Sequence, residues 1–133
     1  MTSKEVARRW LTHSDHDSID NLKTLMHPNH RFYNNLTPHP LGVEEHLGML
    51  HKMANTFSNQ VHHIDLLLED GNYVAIRGRL TAIHSGEFRG IEATNKPIEV
   101  SFNLIMQILD GQIADEFMEL NPMSIIAQIN GNK

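Results

Sequence analysis

The chain has 133 residues, no cysteine and a net charge of −5 at pH 7 with histidine neutral. This length fits one domain, spanning 1–133, with a single core. The lack of cysteine excludes disulfide and thiol chemistry, and no run approaches the roughly 20 apolar residues of a membrane helix. Lysine and arginine are scattered and no signal-peptide pattern opens the chain. We therefore expect a cytoplasmic protein that binds neither nucleic acid nor membrane.

The first part of the chain is predicted to be mainly helical. Apolar residues recur at helical spacing over 3–13, 18–26 and 43–57. Asp17 is suited to cap the second of these helices. His27-Pro28 predicts its end, because the residue before a proline disfavours the helical conformation. A short strand is predicted over 31–35, followed by a proline-containing loop.

The second part alternates between apolar and polar residues, which predicts strands over 60–69, 73–83, 98–109 and 112–120. Asp70-Gly71 and Asp110-Gly111 are strong hairpin turns. In the first strand, one predicted face carries His62, Ile64, Leu66 and Leu68. Asn121-Pro122 then starts a short helix. Strands grouped after helices indicate an α+β fold.

The two longest strands suggest which face of the sheet is buried. Every even-numbered residue from Ile98 to Ile108 is apolar, so we expect this face to point inward. The facing strand would then turn Ala114, Glu116 and Met118 to the same side.

Several motifs of this chain resemble the SnoaL-like polyketide cyclase family, which belongs to the nuclear-transport-factor-2-like superfamily. They are His27-Pro28, Asp70-Gly71, Val74-Ala75-Ile76-Arg77, His84-Ser85-Gly86-Glu87-Phe88-Arg89-Gly90-Ile91, Pro97, Val100-Ser101-Phe102, Asp110-Gly111-Gln112-Ile113 and Asp115. The resemblance implies a cone-shaped, curved antiparallel sheet wrapped around three helices from the N-terminal half, enclosing a pocket. It also implies a homodimer.

The resemblance also locates the family's catalytic groups. With Asp110-Gly111 as the anchor, the cyclase histidine falls at Leu104 and the cyclase aspartate at Met118. Neither side chain can move a proton, so the aldol mechanism with those groups is not expected here.

Glu116 is the remaining inward-facing acid, and among apolar neighbours its pKa should rise towards neutrality. It could instead lie near the open end of the hairpin, or be paired with Arg77 or Arg79. His84 matches the family's motif and could assist Glu116, or could cap the strand end and hold the glycine loop. We predict Glu116 and His84 as catalytic residues of a lyase- or isomerase-type enzyme; the alternative is a non-catalytic binding protein for a small hydrophobic ligand.

The implied partner is a small hydrophobic, ring-containing molecule with a carbonyl. We predict that it contacts residues on the inner face and at the mouth, although core packing would also explain them. These residues are Trp10, Phe32, Phe88, Phe102, Leu104 and Met118.

The ten histidines raise the question of a metal site. His13 and His16 span a helix end, and the segment from His27 to His30 contains a proline. His46 and His51 are five residues apart, about 140° around a helix, so they do not converge. The spacing therefore predicts no metal and no cofactor.

Overall fold

A computed structural model describes residues 1–16 and 18–130 of the chain. Asp17, predicted as a helix cap, lies outside the described residues. The elements follow the order α1 (Ser3–His16), a 3-10 helix (Ile19–Leu25), β1 (Met26–Asn34), α2 (Val43–Thr56), β2 (Phe57–Asp70), β3 (Tyr73–His84), β4 (Pro97–Leu109), β5 (Gln112–Leu120) and α3 (Pro122–Ile129). The predicted α+β class is confirmed. In the described part of the chain, no helix is long and apolar enough to span a membrane.

The five strands form one curved, unclosed sheet with the order β1-β5-β4-β3-β2. Four of them are joined in antiparallel pairs by hairpins. The expectation of an antiparallel sheet is wrong at one edge, where β1 runs parallel to β5. Parallel neighbours need a long connection, and here the whole of α2 and β2–β4 lies between the two strands.

Two element boundaries differ from the prediction for the same reason. The predicted second helix is a 3-10 helix that ends at Leu25, and β1 begins at Met26, five residues before the predicted strand. Pairing of Met26 with Ile113 extends the strand backwards through His27 and Pro28. An edge strand tolerates the proline because its unpaired side needs no amide hydrogen.

The face predicted for β2 is wrong beyond Ile64. A bulge between Ile64 and Leu66 shifts the strand by one residue, so Leu67 packs against the core. Leu66 and Leu68 are instead 52% and 58% exposed. A one-residue shift exchanges the two faces of a strand, and simple alternation in the sequence does not reveal it.

The predicted inner face of β4 is confirmed, because its even-numbered residues from Ile98 to Ile108 are all buried. Asp110 and Gly111 both have positive φ, at 53° and 75°, as a tight two-residue hairpin requires. The helices pack on this face of the sheet, and the core lies between the two layers.

Candidate functional site

A cavity of about 420 Å³ lies within the apolar layer between the helices and the inner face of the sheet. Its wall is mainly apolar. The exposed members of the lining, Ala54 and Asn59, mark where it reaches the surface. Asn59 has a positive φ of 54° at a bulge of β2, a conformation that costs energy for a residue with a side chain.

The six residues predicted to contact a ligand all line this cavity. Phe102, Leu104 and Met118 come from the long strands, Phe32 from β1, Trp10 from α1 and Phe88 from the loop after β3. Leu104 and Met118, which stand where the cyclase resemblance implies catalytic groups, are paired across β4 and β5. At these two positions the wall therefore offers only apolar contact.

Glu116 also lines the cavity, with its side chain turned inward as predicted, and it is only 3% exposed. The alternative in which it pairs with an arginine is not realised, because Arg79 bonds to Asp65 and Glu99, and Arg77 to Asn103. Its Oε1 atom is buried and has no hydrogen-bond partner among the described residues.

Burial raises the pKa of Glu116 to about 8, although a hydrogen bond from Trp10 partly opposes the rise. The carboxyl group is therefore mostly protonated at neutral pH. Oε1 is the carboxyl oxygen that has no hydrogen-bond partner among the described residues. The carboxyl proton is then best placed on Oε1, where it can be donated to a ligand.

Two buried histidines adjoin Glu116. His30 on β1 is 0% exposed and His46 on α2 is 2% exposed. His30 Nδ1 lies 2.9 Å from the carbonyl oxygen of Ile113, and His30 Nε2 lies 2.8 Å from His46 Nδ1. The His46 ring is stacked on Phe32 at a centroid distance of 3.9 Å. These contacts hold both imidazoles in fixed orientations.

Both imidazoles are neutral at physiological pH. Burial, reinforced by neighbouring His30, lowers the pKa of His46 to about 3. Burial is also the main cause of the lowered pKa of His30; a hydrogen bond to Ile113 and the charge of Asp115 act in the other direction. The cluster thus combines a neutral acid with neutral bases inside an apolar wall.

His30, His46 and Glu116 can each offer one metal-ligand atom, and these atoms lie within 4.8 Å of one another. However, His30 Nε2 and His46 Nδ1 are directed at each other and share a proton. A metal ion would have to break that hydrogen bond and remove the proton. We therefore interpret His30 and His46 as a hydrogen-bonded pair beside the Glu116 carboxyl group and not as metal ligands.

A second polar pair lines the cavity at some distance from Glu116. The Asp15 carboxylate accepts two hydrogen bonds from His62. One comes from the backbone amide at 2.8 Å, and the other comes from Nδ1 of the imidazole ring. The ring packs edge-on against Phe102. This pair gives the otherwise apolar cavity a second hydrogen-bonding region.

His84 is not brought to Glu116. Val74 stands level with Glu116 across β4, through Met106, and His84 is ten residues further along β3. At about 3.3 Å per residue, the two are separated by roughly 30 Å along the strand.

The contacts of His84 are with the glycine loop instead. His84 Nδ1 lies 2.9 Å from Thr94 Oγ1 and accepts from the Thr94 amide, and the His84 amide donates to the carbonyl of Lys96. These contacts correspond to the alternative in which His84 holds the glycine loop. The histidines that lie beside Glu116 are His30 and His46.

The sequence contained signals for the two histidines that were not singled out. His46 follows Val43 by three residues and precedes Leu50 by four, which places it on the apolar stripe of its helix. His30 precedes the buried Phe32 by two residues, and therefore shares its face of β1. A histidine within an apolar stripe is the common signal.

The curved sheet with helices on one face defines a protein of the nuclear-transport-factor-2-like class, the fold of ketosteroid isomerase-like proteins. The SnoaL-like polyketide cyclase family model matches residues 4–129, and the chain belongs to that family. A search of curated proteins gives no match.

Solved structures share the fold at low sequence identity. IdmH from Streptomyces antibioticus, a candidate polyketide cyclase, is 19% identical with a TM-score of 0.86, over 98% of this chain and 99% of its own. AclR from Streptomyces galilaeus, a candidate hydroxylase, is 14% identical with a TM-score of 0.86, over 97% of this chain and 81% of its own. A SnoaL-like protein from Jannaschia sp. CCS1 is 17% identical with a TM-score of 0.86, over 96% and 90%.

Proposed function

We propose that this protein binds a small, mainly apolar, ring-containing carbonyl compound in its cavity and catalyses a proton-transfer reaction of the lyase or isomerase type. Glu116 is the proton donor. The observation that carries the proposal is a buried carboxyl group whose Oε1 has no partner among the described residues and which lines an apolar cavity.

The chemistry follows from the charge state of this acid. A neutral carboxyl group donates a hydrogen bond to a carbonyl oxygen, and the bond strengthens as that oxygen gains charge in an enol-like transition state. The low polarity of the wall increases this effect, because water does not compete for the donor. Such a step needs only side chains, so we propose that no cofactor takes part.

The reaction would differ from the aldol cyclisation of characterised family members. Leu104 and Met118 occupy the positions of the cyclase histidine and aspartate, and neither can exchange a proton. The acid in this chain lies two residues before Met118 on the same face of β5. Family membership then describes ancestry and shape, while the proposed proton-transfer group lies at Glu116 and not at the positions of the cyclase pair.

A non-catalytic binding protein is the second candidate. The paired apolar side chains Leu104 and Met118 favour it, because they turn part of the wall into pure contact surface. In that case Glu116 would serve only to orient a carbonyl group.

The test is the exchange of carbon-bound hydrogen for deuterium in 2-tetralone, a bicyclic ketone, followed by proton NMR in D2O with EDTA present. The protein should accelerate exchange next to the carbonyl above the protein-free rate. Glu116→Gln should reduce this acceleration by roughly 100-fold or more. Glu92→Gln is the control, since Glu92 is an exposed carboxylate in the loop after β3.

Binding is measured in parallel by thermal shift with the same ketone. A ligand at 100 times its dissociation constant should add about 2.7 kcal/mol to the free energy of unfolding. Stabilisation without any exchange would favour the binding protein. The absence of both stabilisation and exchange would contradict the proposal for this class of ketone.

We also propose that the outer face of the sheet pairs with a second copy of the chain. An apolar row crosses all five strands in register. Its exposed members are Tyr33, Phe117, Ile105 and Leu68, and the half-buried Ala75 lies between the last two. In the adjacent row Asn103 is flanked by Glu119 and Arg77. A twofold axis near Asn103 would bring these opposite charges of the two copies together, as an isologous interface requires.

A further inference from the structure

The two buried histidines beside the cavity form a hydrogen-bonded chain with a fixed direction. It runs from the carbonyl oxygen of Ile113 to His30 and on to His46, with donor–acceptor distances of 2.9 Å and 2.8 Å. Since the three groups come from β5, β1 and α2, only the tertiary structure assembles them.

The carbonyl at the start of the chain determines where the protons lie. A carbonyl oxygen can only accept, so His30 Nδ1 carries a hydrogen. Neutral His30 must then accept at Nε2, which makes His46 Nδ1 the donor of the next bond. Neutral His46 consequently has an unprotonated Nε2 with a free lone pair. That atom has no hydrogen-bond partner within the described part of the chain, and its ring lines the cavity.

We propose that His46 is a second catalytic residue, the base that acts together with Glu116 as the acid, and that His30 is the residue that positions it. This inference rests on the proposed function. Glu116 and His46 lie close together, because a carboxyl oxygen of one and a ring nitrogen of the other are within 4.8 Å. Such proximity suits a substrate in which an acidic C–H lies beside a carbonyl group.

The step balances without any further reactant. His46 Nε2 takes the proton from the carbon, the C–H electron pair forms the carbon–carbon double bond of the enol, and the proton of Glu116 passes to the carbonyl oxygen. In the reverse direction the enol proton returns to Glu116 and His46 delivers its proton to carbon. Delivery to a different carbon of a conjugated enol would give an isomer.

Burial and neighbouring His30 oppose a lasting positive charge on His46, and the hydrogen-bonded chain through His30 partly offsets this cost during the step. When Nε2 gains a proton, the bonds through His30 to the Ile113 carbonyl let the charge polarise the whole chain. The groups that act on the pair are the aromatic rings of Phe32 and Trp10, the carboxylate of Asp115 and the guanidinium of Arg31. Phe32 also fixes the plane of the imidazole, stacked within 1° of parallel.

The tautomer is tested first, on the protein without ligand. Long-range proton–nitrogen NMR of protein labelled with 15N-histidine should show His30 and His46 both protonated at Nδ1 and unprotonated at Nε2. A His46 ring protonated at Nε2 would overturn the inference, whatever the activity of the protein.

The role in exchange is tested with the 2-tetralone assay. His46→Gln should lower the accelerated rate by roughly 100-fold or more, and His51→Gln should leave it unchanged, because His51 is an exposed histidine of the same helix, paired with Asp20. In His46→Ala, added imidazole should restore part of the rate, which no merely structural role explains. His30→Gln should lower the rate by a smaller factor and shift its pH profile.

The outcomes separate this inference from the proposed function. If Glu116→Gln loses exchange and folded His46→Gln retains it, His46 is not the base and the proposed function stands. Loss of exchange in both variants, with rescue by imidazole, supports both. If the unmodified protein does not accelerate exchange, the catalytic roles of Glu116 and His46 are both contradicted.

Discussion

Replacing Glu116 with glutamine should change the pH dependence of stability in a defined direction. The pKa of Glu116 rises from 4.5, its ordinary value, to about 8 in the folded protein. A carboxyl group with a raised folded-state pKa contributes stability that is fully present below pH 4.5 and is lost progressively as the pH rises to about 8. Glutamine keeps the shape of the protonated acid and cannot ionise, so this loss disappears in the variant.

The magnitude follows from linkage at 1.36 kcal/mol per pH unit for one proton. Between pH 5 and 7 the unfolded carboxyl group is mostly ionised and the folded one mostly protonated. Over these two units Glu116→Gln should gain about 2.5 kcal/mol of unfolding free energy relative to the unmodified protein. The lowered pKa values of His30 and His46 act with the opposite sign as the pH falls below about 6.5. To a first approximation their contribution is common to both proteins and cancels in the difference.

The assay is urea unfolding of both proteins at pH 5, 6 and 7, with the free energy obtained by linear extrapolation. Glu92→Gln, which removes an exposed carboxylate from the loop after β3, controls for the change in net charge. If the difference between Glu116→Gln and the unmodified protein stays constant across this range, Glu116 is ionised in the folded state. Glu116 would then not be a neutral proton donor in the cavity.

Two further predictions concern the backbone and the outer sheet face. A Cβ atom added at Gly86 would lie 2.5 Å from the carbonyl oxygen of Asn55, so Gly86→Ala should lower the unfolding free energy by roughly 1–3 kcal/mol. By contrast, a Cβ atom added at Gly48 in α2 has no atom within 4 Å, so Gly48→Ala should raise the unfolding free energy by up to about 1 kcal/mol. Melting temperatures of the two variants that shift in the same direction would contradict this. Phe117→Asp places a charge in the exposed apolar row and should give a monomer by light scattering. Met123→Asp changes an exposed residue of α3 outside that row and should leave a dimer. A monomeric unmodified protein would exclude the proposed pairing.

Local rules were sufficient for much of the fold. Alternation along β4 predicted its buried face residue by residue, because a strand that packs on one side must turn every second residue inward. The same rule turned Glu116 to the inside, two residues from Met118. The Asp110-Gly111 turn followed from the preference of these residues for positive φ.

Where local rules failed, pairing between distant segments decided the outcome. The bulge after Ile64 reversed the exposure expected for Leu66 and Leu68, and pairing with Ile113 extended β1 back to Met26. A bulge or a parallel edge depends on the partner strand, which sequence periodicity does not contain.

For the candidate site, the sequence alone determined that an acid lies on the inner sheet face and that the cyclase pair is replaced by Leu104 and Met118. Only the tertiary structure decided which groups accompany that acid. His84 matches the family motif but lies about 30 Å from Glu116 along the strand direction. His30 and His46, which are 16 residues apart in sequence, share a hydrogen bond. The physical reason is that spacing along the chain orients side chains within one element, while an acid and a base meet only when the elements pack together.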